Sequence, residues 1–290
     1  MIREHTFVRT RGCIYRVFGH LHPADHVYLL LRYFREGDAW IKPDVYASEA
    51  FEHPWLRRYD LPTAAVAEYG IRLAVGSRDP VSYLETYDPT ASRDLCLLDA
   101  LQIKKVPFGL TGSRLVGLER PTSDVDVLLY GDLGTEAARE VLAECSQRDR
   151  PIAPSVTFQR LWDLAGGAVP RAVDRNIYTG RHPHLGDKKL EMMFCETSDG
   201  AITDASLSVS SKTPRMEVCA FTVEDSSQRQ YFPGRLACTS GSGHSTQVFI
   251  LDHVLGYLLP GDRIEVTGYE VDGPLGRAFL AAKLTWADLC

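Results

Sequence analysis

The spacing of hydrophobic and polar residues changes rhythm several times along the chain. Thr6 to Thr10 and Cys13 to Phe18 are short runs rich in β-branched and aromatic residues on either side of Arg11-Gly12, the pattern of a hairpin. Ile14, Tyr15, Val17 and Phe18 fill the second run, and Gly19 ends it. Asp25 to Phe34 is dense in Tyr and Leu and suits a strand or a short helix, because its periodicity does not separate the two. From about Lys42 to Asp88, prolines and charges break any period, so an irregular segment wrapping another unit is expected.

Strand and helix patterns alternate from Ser92 onwards. Ser92 suits a helix N-cap, and Leu95, Leu98 and Ala100 to Ile103 suit a helix packed on one side. Val106 to Thr111 reads as a strand, followed by a short helix near Arg114 to Leu118. Asp124 to Tyr130 alternates acidic and aliphatic residues, the clearest strand pattern in the chain. Thr135 caps a predicted helix in which Ala138, Val141, Leu142 and Cys145 fall at helical spacing. A further helix is expected around Thr157 to Leu164 and a strand over Lys189 to Cys195.

After Gly200 the text becomes strand-like. Met216 to Val223, Arg235 to Thr239, Thr246 to Asp252, Ile264 to Val271 and Arg277 to Leu284 predict short strands, with Asp272-Gly273 as the hairpin turn between the last two. The pattern predicts an α+β chain in three parts. An N-terminal α/β accessory segment occupies 1–90, a mixed sheet with helices 91–199, and a mostly β, OB-like or barrel-like module 200–290.

Composition narrows this picture only modestly. With 44% hydrophobic and 24% charged residues the chain is that of an ordinary folded protein. Its net charge of −6 argues against a general electrostatic grip on nucleic acid, leaving room only for a local basic groove. The seven cysteines contain no Cys-x-x-Cys pair, so their spacing gives little support to a structural zinc site; reduced thiols in a cytoplasmic protein are expected. The opening MIREHTFVRTRG lacks the apolar stretch of a signal peptide. Val248 to Leu259, broken by Asp252 and His253, is too short to span a bilayer, so no membrane partner is expected.

The chemistry is concentrated in GLTGSRLVGLERPTSDVDVLLYG, Gly109 to Gly131. Gly112-Ser113 ends a strand and opens a helix, which turns backbone N–H groups and a hydroxyl outward, a setting suited to phosphate oxygens. Asp124 and Asp126 lie two apart on a predicted strand, so their carboxylates share a face, with Cα atoms about 7 Å apart. At an effective dielectric near 20 they repel by about 2 kcal/mol. Val125, Val127 and Leu129 take the opposite, buried face. Two hard-oxygen ligands set side by side favour Mg²⁺ or Mn²⁺ over zinc.

Joined with ten residues between Ser113 and Asp124, these parts resemble the signature of the DNA polymerase beta-like nucleotidyltransferase superfamily, a Gly-Ser followed on the next strand by Asp-x-Asp. The resemblance implies a nucleotidyltransferase-type mixed sheet. It also implies transfer of a nucleoside monophosphate from a nucleoside triphosphate to a hydroxyl acceptor, with pyrophosphate leaving. In that reading Asp124 and Asp126 hold metal, and Gly112, Ser113, Arg114 and Ser123 bind nucleotide. A third carboxylate comes from a later strand. Glu191 in KKLEMMFC is the candidate, because Leu190, Met192 and Phe194 would be buried, with Asp187 and Glu196 as alternatives. Arg171, Arg175 and Arg181 are further candidate phosphate contacts.

The ends add less. The opening hairpin followed by Gly-x-x-His-Pro at Gly19 to Pro23 is similar to archaeal nucleotidyltransferase-domain proteins that pair such a core with flanking modules. His20, His22 and His26 suit either a metal site or, more simply, a turn with solvated histidines. Tyr231, Phe232, Phe249 and Tyr257 suit either core or base-stacking platforms. A small-molecule acceptor is expected ahead of RNA or a protein side chain, and a non-catalytic nucleotide-binding module is disfavoured by the intact Ser-Asp-x-Asp.

Overall fold

β-Branched and aromatic residues at alternate positions make the start of the chain pair as strands. The computed structural model describes residues 2–42, 57–58, 73–89, 108–131, 184–185, 188–196, 200–205, 207–209, 215–231, 233–250 and 258–288. The chain divides into two units. One comprises residues 1–59, 70–149 and 182–204, the other 60–69, 150–181 and 205–290.

The first unit holds β1 (Phe7–Arg9), β2 (Cys13–Val17), β3 (Leu21–His22), β4 (His26–Glu36), β5 (Ala39–Ile41), β6 (Arg57–Arg58), β7 (Leu73–Ser77) and β8 (Glu85–Tyr87). It continues with β9 (Phe108–Leu110), the single-turn helix α1 (Gly112–Leu115), β10 (Val125–Tyr130), β11 (His184–Leu185), β12 (Lys188–Cys195) and β13 (Thr203–Asp204). One sheet runs β6-β7-β4-β2-β1-β8 with β5 folded back on β4; another runs β11-β12-β10-β9; β3 and β13 form a parallel pair. The first hairpin has the expected place, with Phe7 opposite Arg16.

The larger sheet buries both faces. Val8, Tyr15, Val17, Val27, Leu29 and Tyr83 pack on one side. On the other, Phe7, Ile14 and Tyr33 pack against Leu115, Val116 and Leu118, which follow directly from the Gly-Ser turn. This second face brings the N-terminal sheet onto the segment that carries the candidate chemistry.

Asp25 to Phe34 resolves as strand: β4 is paired on both edges, by β2 and β7, and Val27, Tyr28 and Leu29 are buried. The segment expected to be irregular contains β7 and β8, joined through a short 3₁₀ turn at Pro80–Ser82 that Asp79 caps. The helices expected from Ser92, Thr135 and Thr157 lie outside the described residues.

The second unit holds β14 (Ser208–Val209), β15 (Glu217–Gln228), β16 (Gly234–Ser240), β17 (Ser245–Ile250), β18 (Arg263–Gly273) and β19 (Gly276–Asp288). They pair in the order β14-β18-β15-β16-β17-β19, with β18 also pairing β19. Phe221, Val223, Leu236, Val248, Ile264, Val266 and Phe279 are among its core. The last hairpin turns at Pro274-Leu275, between paired Gly273 and Gly276, and not at Asp272-Gly273; Gly276 takes the left-handed φ of +108° that the return requires. Tyr231 and Phe249 are buried, so neither is an open stacking platform; Phe232 and Tyr257 lie outside the described residues.

The expected fold class is therefore corrected. The described residues form a mixed fold of mostly strands with one short helix, rather than a nucleotidyltransferase-type mixed sheet with helices. Among its described residues, the regular elements of the N-terminal segment are strands apart from the 3₁₀ turn at Pro80–Ser82, and its sheet pairs strands that are dense in aromatic and β-branched residues. The last third is a six-stranded sheet whose β15, β18 and β19 run 12, 11 and 13 residues. Those long strands replace the short ones expected of a small OB-like or barrel-like module. Among the described residues no helix is long and apolar enough to cross a membrane.

Candidate functional site

The alternation of Asp124 to Tyr130 is realised in β10, where Val125, Val127 and Leu129 are fully buried. β10 lies parallel to β12, and the register sets Asp126 opposite Glu191. Asp124 precedes the strand by one residue. One carboxylate oxygen from each of Asp124, Asp126 and Glu191 lies within 4.8 Å of the other two, and all three side chains are partly exposed. The structure thus brings Glu191 to the aspartates. Glu196 is engaged elsewhere, with Oε2 2.8 Å from His20 Nε2, and Asp187 lies outside the described residues.

Gly112 makes this cluster possible. It has a φ of +70°, a conformation that costs an L-residue about 1–2 kcal/mol. A Cβ on Gly112 would sit 1.6 Å from Asp126 Oδ2 and 2.6 Å from its Cγ. The glycine is therefore needed for backbone conformation and for room. The Thr111 N–H donates to the Asp126 carbonyl at 3.0 Å, fixing the turn against β10. Gly112 opens α1, and Ser113 follows it. The Ser113 and Tyr33 hydroxyls are hydrogen-bonded, and the Ser113 carbonyl accepts from Leu118 N–H at 2.9 Å. Arg114 lies in the single turn of α1. Ser123 closes the loop before β10: its Oγ accepts from Arg120 N–H at 2.8 Å, and its N–H donates to the Arg120 carbonyl at 2.9 Å. Arg171, Arg175 and Arg181 lie outside the described residues.

Burial and like charge act together on Asp126. Desolvation is the largest influence, the Glu191 and Asp124 carboxylates add to it, and the carboxyl is raised to about 6. Arg32 and Arg16 act in the opposite direction. These two arginines belong to the N-terminal sheet and carry no motif. Their positions follow from the ladder: β2 and β4 slip register between Ile14 and Tyr15, so Ile14 faces Tyr33 and Tyr15 faces Leu31. Arg32 is the extra residue, and a bulge of this kind re-aims side chains. The Arg16 Nε and Arg32 Nε are buried, and an Arg16 N–H donates to Met193 Sδ at 3.6 Å. Burial lowers the Arg16 guanidinium to about 10, Arg32 adds to that, and Asp126, Glu191 and Glu4 oppose it. Arg16, Arg32 and Tyr33 were absent from the sequence-based site because their partners lie far along the chain.

His20, His22 and His26 do not converge. The His22 Nε2 lies 2.7 Å from the Gly19 carbonyl, and its Nδ1 accepts from Tyr28 N–H at 3.0 Å. His20 pairs with Glu196, and His26 Nδ1 lies 2.6 Å from Asp25 Oδ1. Far from being solvated, His20 and His22 are buried. A second group of metal-capable side chains, Glu4, His5 and Cys195, comes together elsewhere in the unit. Comparison of this chain with protein-family models, with curated proteins and with solved structures finds no match.

Proposed function

We propose that the chain is a metal-dependent nucleotidyltransferase that moves a nucleoside monophosphate from a nucleoside triphosphate to the hydroxyl of a small acceptor. The observation that carries this reading is the convergence of Asp124, Asp126 and Glu191 beside a glycine whose missing Cβ makes room for the Asp126 carboxylate. Three carboxylates, two from paired positions on parallel strands and Asp124 from just before one of them, are hard-oxygen donors of the kind that suits Mg²⁺ or Mn²⁺. Their repulsion and the raised Asp126 carboxyl describe a site short of positive charge. When bound, such an ion supplies charge neutralisation at the triphosphate.

The chain's own groups do the rest. Gly112 and Ser113 offer N–H and hydroxyl donors to phosphate oxygens, and Arg114 stands in the same turn. Arg16 and Arg32 add fixed positive charge on the side of the N-terminal sheet. Glu191 is the group assigned to take the acceptor's proton. The acceptor oxygen bonds to the α-phosphorus as the bond to pyrophosphate breaks, and orientation supplies much of the rate.

A screen of the four nucleoside triphosphates with Mg²⁺ against hydroxyl metabolites, read by pyrophosphate release, tests the reading. Asp126→Asn should lower turnover by about 10²–10³-fold or more, while the melting temperature holds or rises as like-charge repulsion is relieved. Ser113→Ala should be milder, since backbone N–H groups remain. Undiminished transfer by Asp126→Asn would overturn the mechanism, and a large fall in melting temperature would make Asp126 structural.

A further inference from the structure

Glu191, Met193 and Cys195 alternate along β12 and share a face with Asp126, Leu128 and Tyr130 of β10. The carboxylate cluster stands at one end of that face. Cys195 is four residues further along, about 13 Å at the rise of a strand. There the chain's N-terminal turn meets it: one ligand atom each from Glu4, His5 and Cys195 lies within 4.8 Å of the other two.

This second group differs from the first in chemistry and in burial. Glu4 is 1% exposed, His5 8% and Cys195 0%. His5 Nδ1 is buried and makes no hydrogen bond, a costly condition in a folded chain unless something completes it. Glu4 Oε1, also buried without a hydrogen bond, lies 3.8 Å from His5 Nε2, and the Glu4 carboxyl is hydrogen-bonded to the Cys195 thiol. The turn is built to converge. Thr6 N–H donates to the Arg3 carbonyl at 3.1 Å, Glu4 N–H donates to the Gly200 carbonyl at 2.9 Å, and His5 adopts a φ of +61°. Among the described residues His5 is the one non-glycine with a positive φ. Glycine would take that conformation without strain, but glycine carries no imidazole.

We propose that Glu4, His5 and Cys195 form a second metal site, one that takes a borderline cation of the zinc class rather than magnesium. A thiolate and an imidazole beside one carboxylate are the donors that zinc prefers, at about 2.0–2.3 Å. Charge supports the same choice. Cys195 and Glu4, deprotonated, carry two negative charges, so a bound dication leaves a neutral complex, the form that a buried position tolerates. Binding forms the metal–sulfur, metal–nitrogen and metal–oxygen bonds and releases the protons of the thiol and the carboxyl to solvent. With three protein ligands the fourth tetrahedral position falls to water or to a neighbouring group. The His20–Glu196 pair stands close by, Glu196 being next to Cys195 in the chain.

The test uses the whole 290-residue chain and does not depend on nucleotidyl transfer. Metal content is measured by mass spectrometry after desalting, and Co²⁺ is then titrated into metal-stripped protein as a spectroscopic probe. One equivalent of zinc is expected. Co²⁺ should give a thiolate-to-cobalt charge-transfer band and the intense visible bands of a tetrahedral site. The charge-transfer band should vanish in Cys195→Ser, the bands should be lost or strongly weakened in His5→Ala, and Asp126→Asn should keep them. Circular dichroism checks that each variant is folded. If Cys195→Ser does not fold, the spectrum of the wild-type chain and of His5→Ala decides. A wild-type chain with neither zinc nor a thiolate band at excess Co²⁺ overturns the proposal, as does a band that survives Cys195→Ser. Failure here leaves the Asp126 result untouched, so the two sites are judged separately.

Discussion

At Gly112 a single missing carbon decides whether three carboxylates can meet. The +70° φ and the 1.6 Å approach to Asp126 Oδ2 mean that alanine is opposed by conformation and by volume together. Gly112→Ala should displace the Asp126 side chain or the turn. Mg²⁺-dependent nucleotide binding, measured by calorimetry, should fall at least about tenfold, and stability should drop by roughly 1–2 kcal/mol from the backbone cost alone. Unchanged binding would show that the glycine only shapes the turn. His22 poses the opposite problem, a buried polar group that is fully satisfied when neutral. Burial is the chief cause holding it at about 3, with Arg78 and His20 acting the same way and the Gly19 carbonyl opposing them. Its folded value lies below the ordinary 6.5, so the unfolded chain takes up the proton first. Stability from this group is therefore present above about pH 6.5 and declines as pH falls towards 3. Thermal melts across that window should show His22→Gln less stable than the wild type near neutrality and the gap narrowing in acid. Parallel curves would remove His22 from the account.

Among the elements, what was legible depended on whether the cause was local. The Asp124 to Tyr130 alternation predicted the strand and its buried aliphatic face. The same period in KKLEMMFC pointed to Glu191, which does stand opposite Asp126, although of the three neighbours expected to be buried Leu190 is so and Met192 and Phe194 are half-buried. Neither inference needed a partner to be known, since alternation belongs to the strand itself. The β2–β4 bulge that turns Arg32 out of the ladder has no such signature, because it exists only in the register of two strands. Arg16 and Arg32 consequently carry no signal in the sequence. The final hairpin shows a subtler failure. Asp-Gly is a strong turn dipeptide, but the pairing of Gly273 with Gly276 moves the turn to Pro274-Leu275. Pattern located the hairpin, and register located its tip.

For the whole molecule, the pattern divided residues 1–90 from 91–199, whereas contacts place the described parts of both in one unit. The reason is the second face of the N-terminal sheet: Phe7, Ile14 and Tyr33 cover Leu115, Val116 and Leu118, side chains that the carboxylate-bearing sheet does not bury alone. The same long-range folding joins Glu4 and His5 to Cys195, which no spacing rule within the sequence would pair. A fragment spanning 91–199 should therefore fare badly. It lacks the apolar cover over the turn that follows Gly112, and it lacks Arg16 and Arg32 beside Asp126. Without the two arginines, nothing from the N-terminal sheet opposes the mutual repulsion of Asp124, Asp126 and Glu191. The fragment is expected to bind a hydrophobic dye, to lack a sharp melting transition, and to hold Mg²⁺-nucleotide more weakly than the full chain, by calorimetry under matched conditions. A fragment that melts cooperatively and binds nucleotide as tightly as the whole would show that the N-terminal sheet is a separate module, and that Arg16 and Arg32 stand near the carboxylates without serving them.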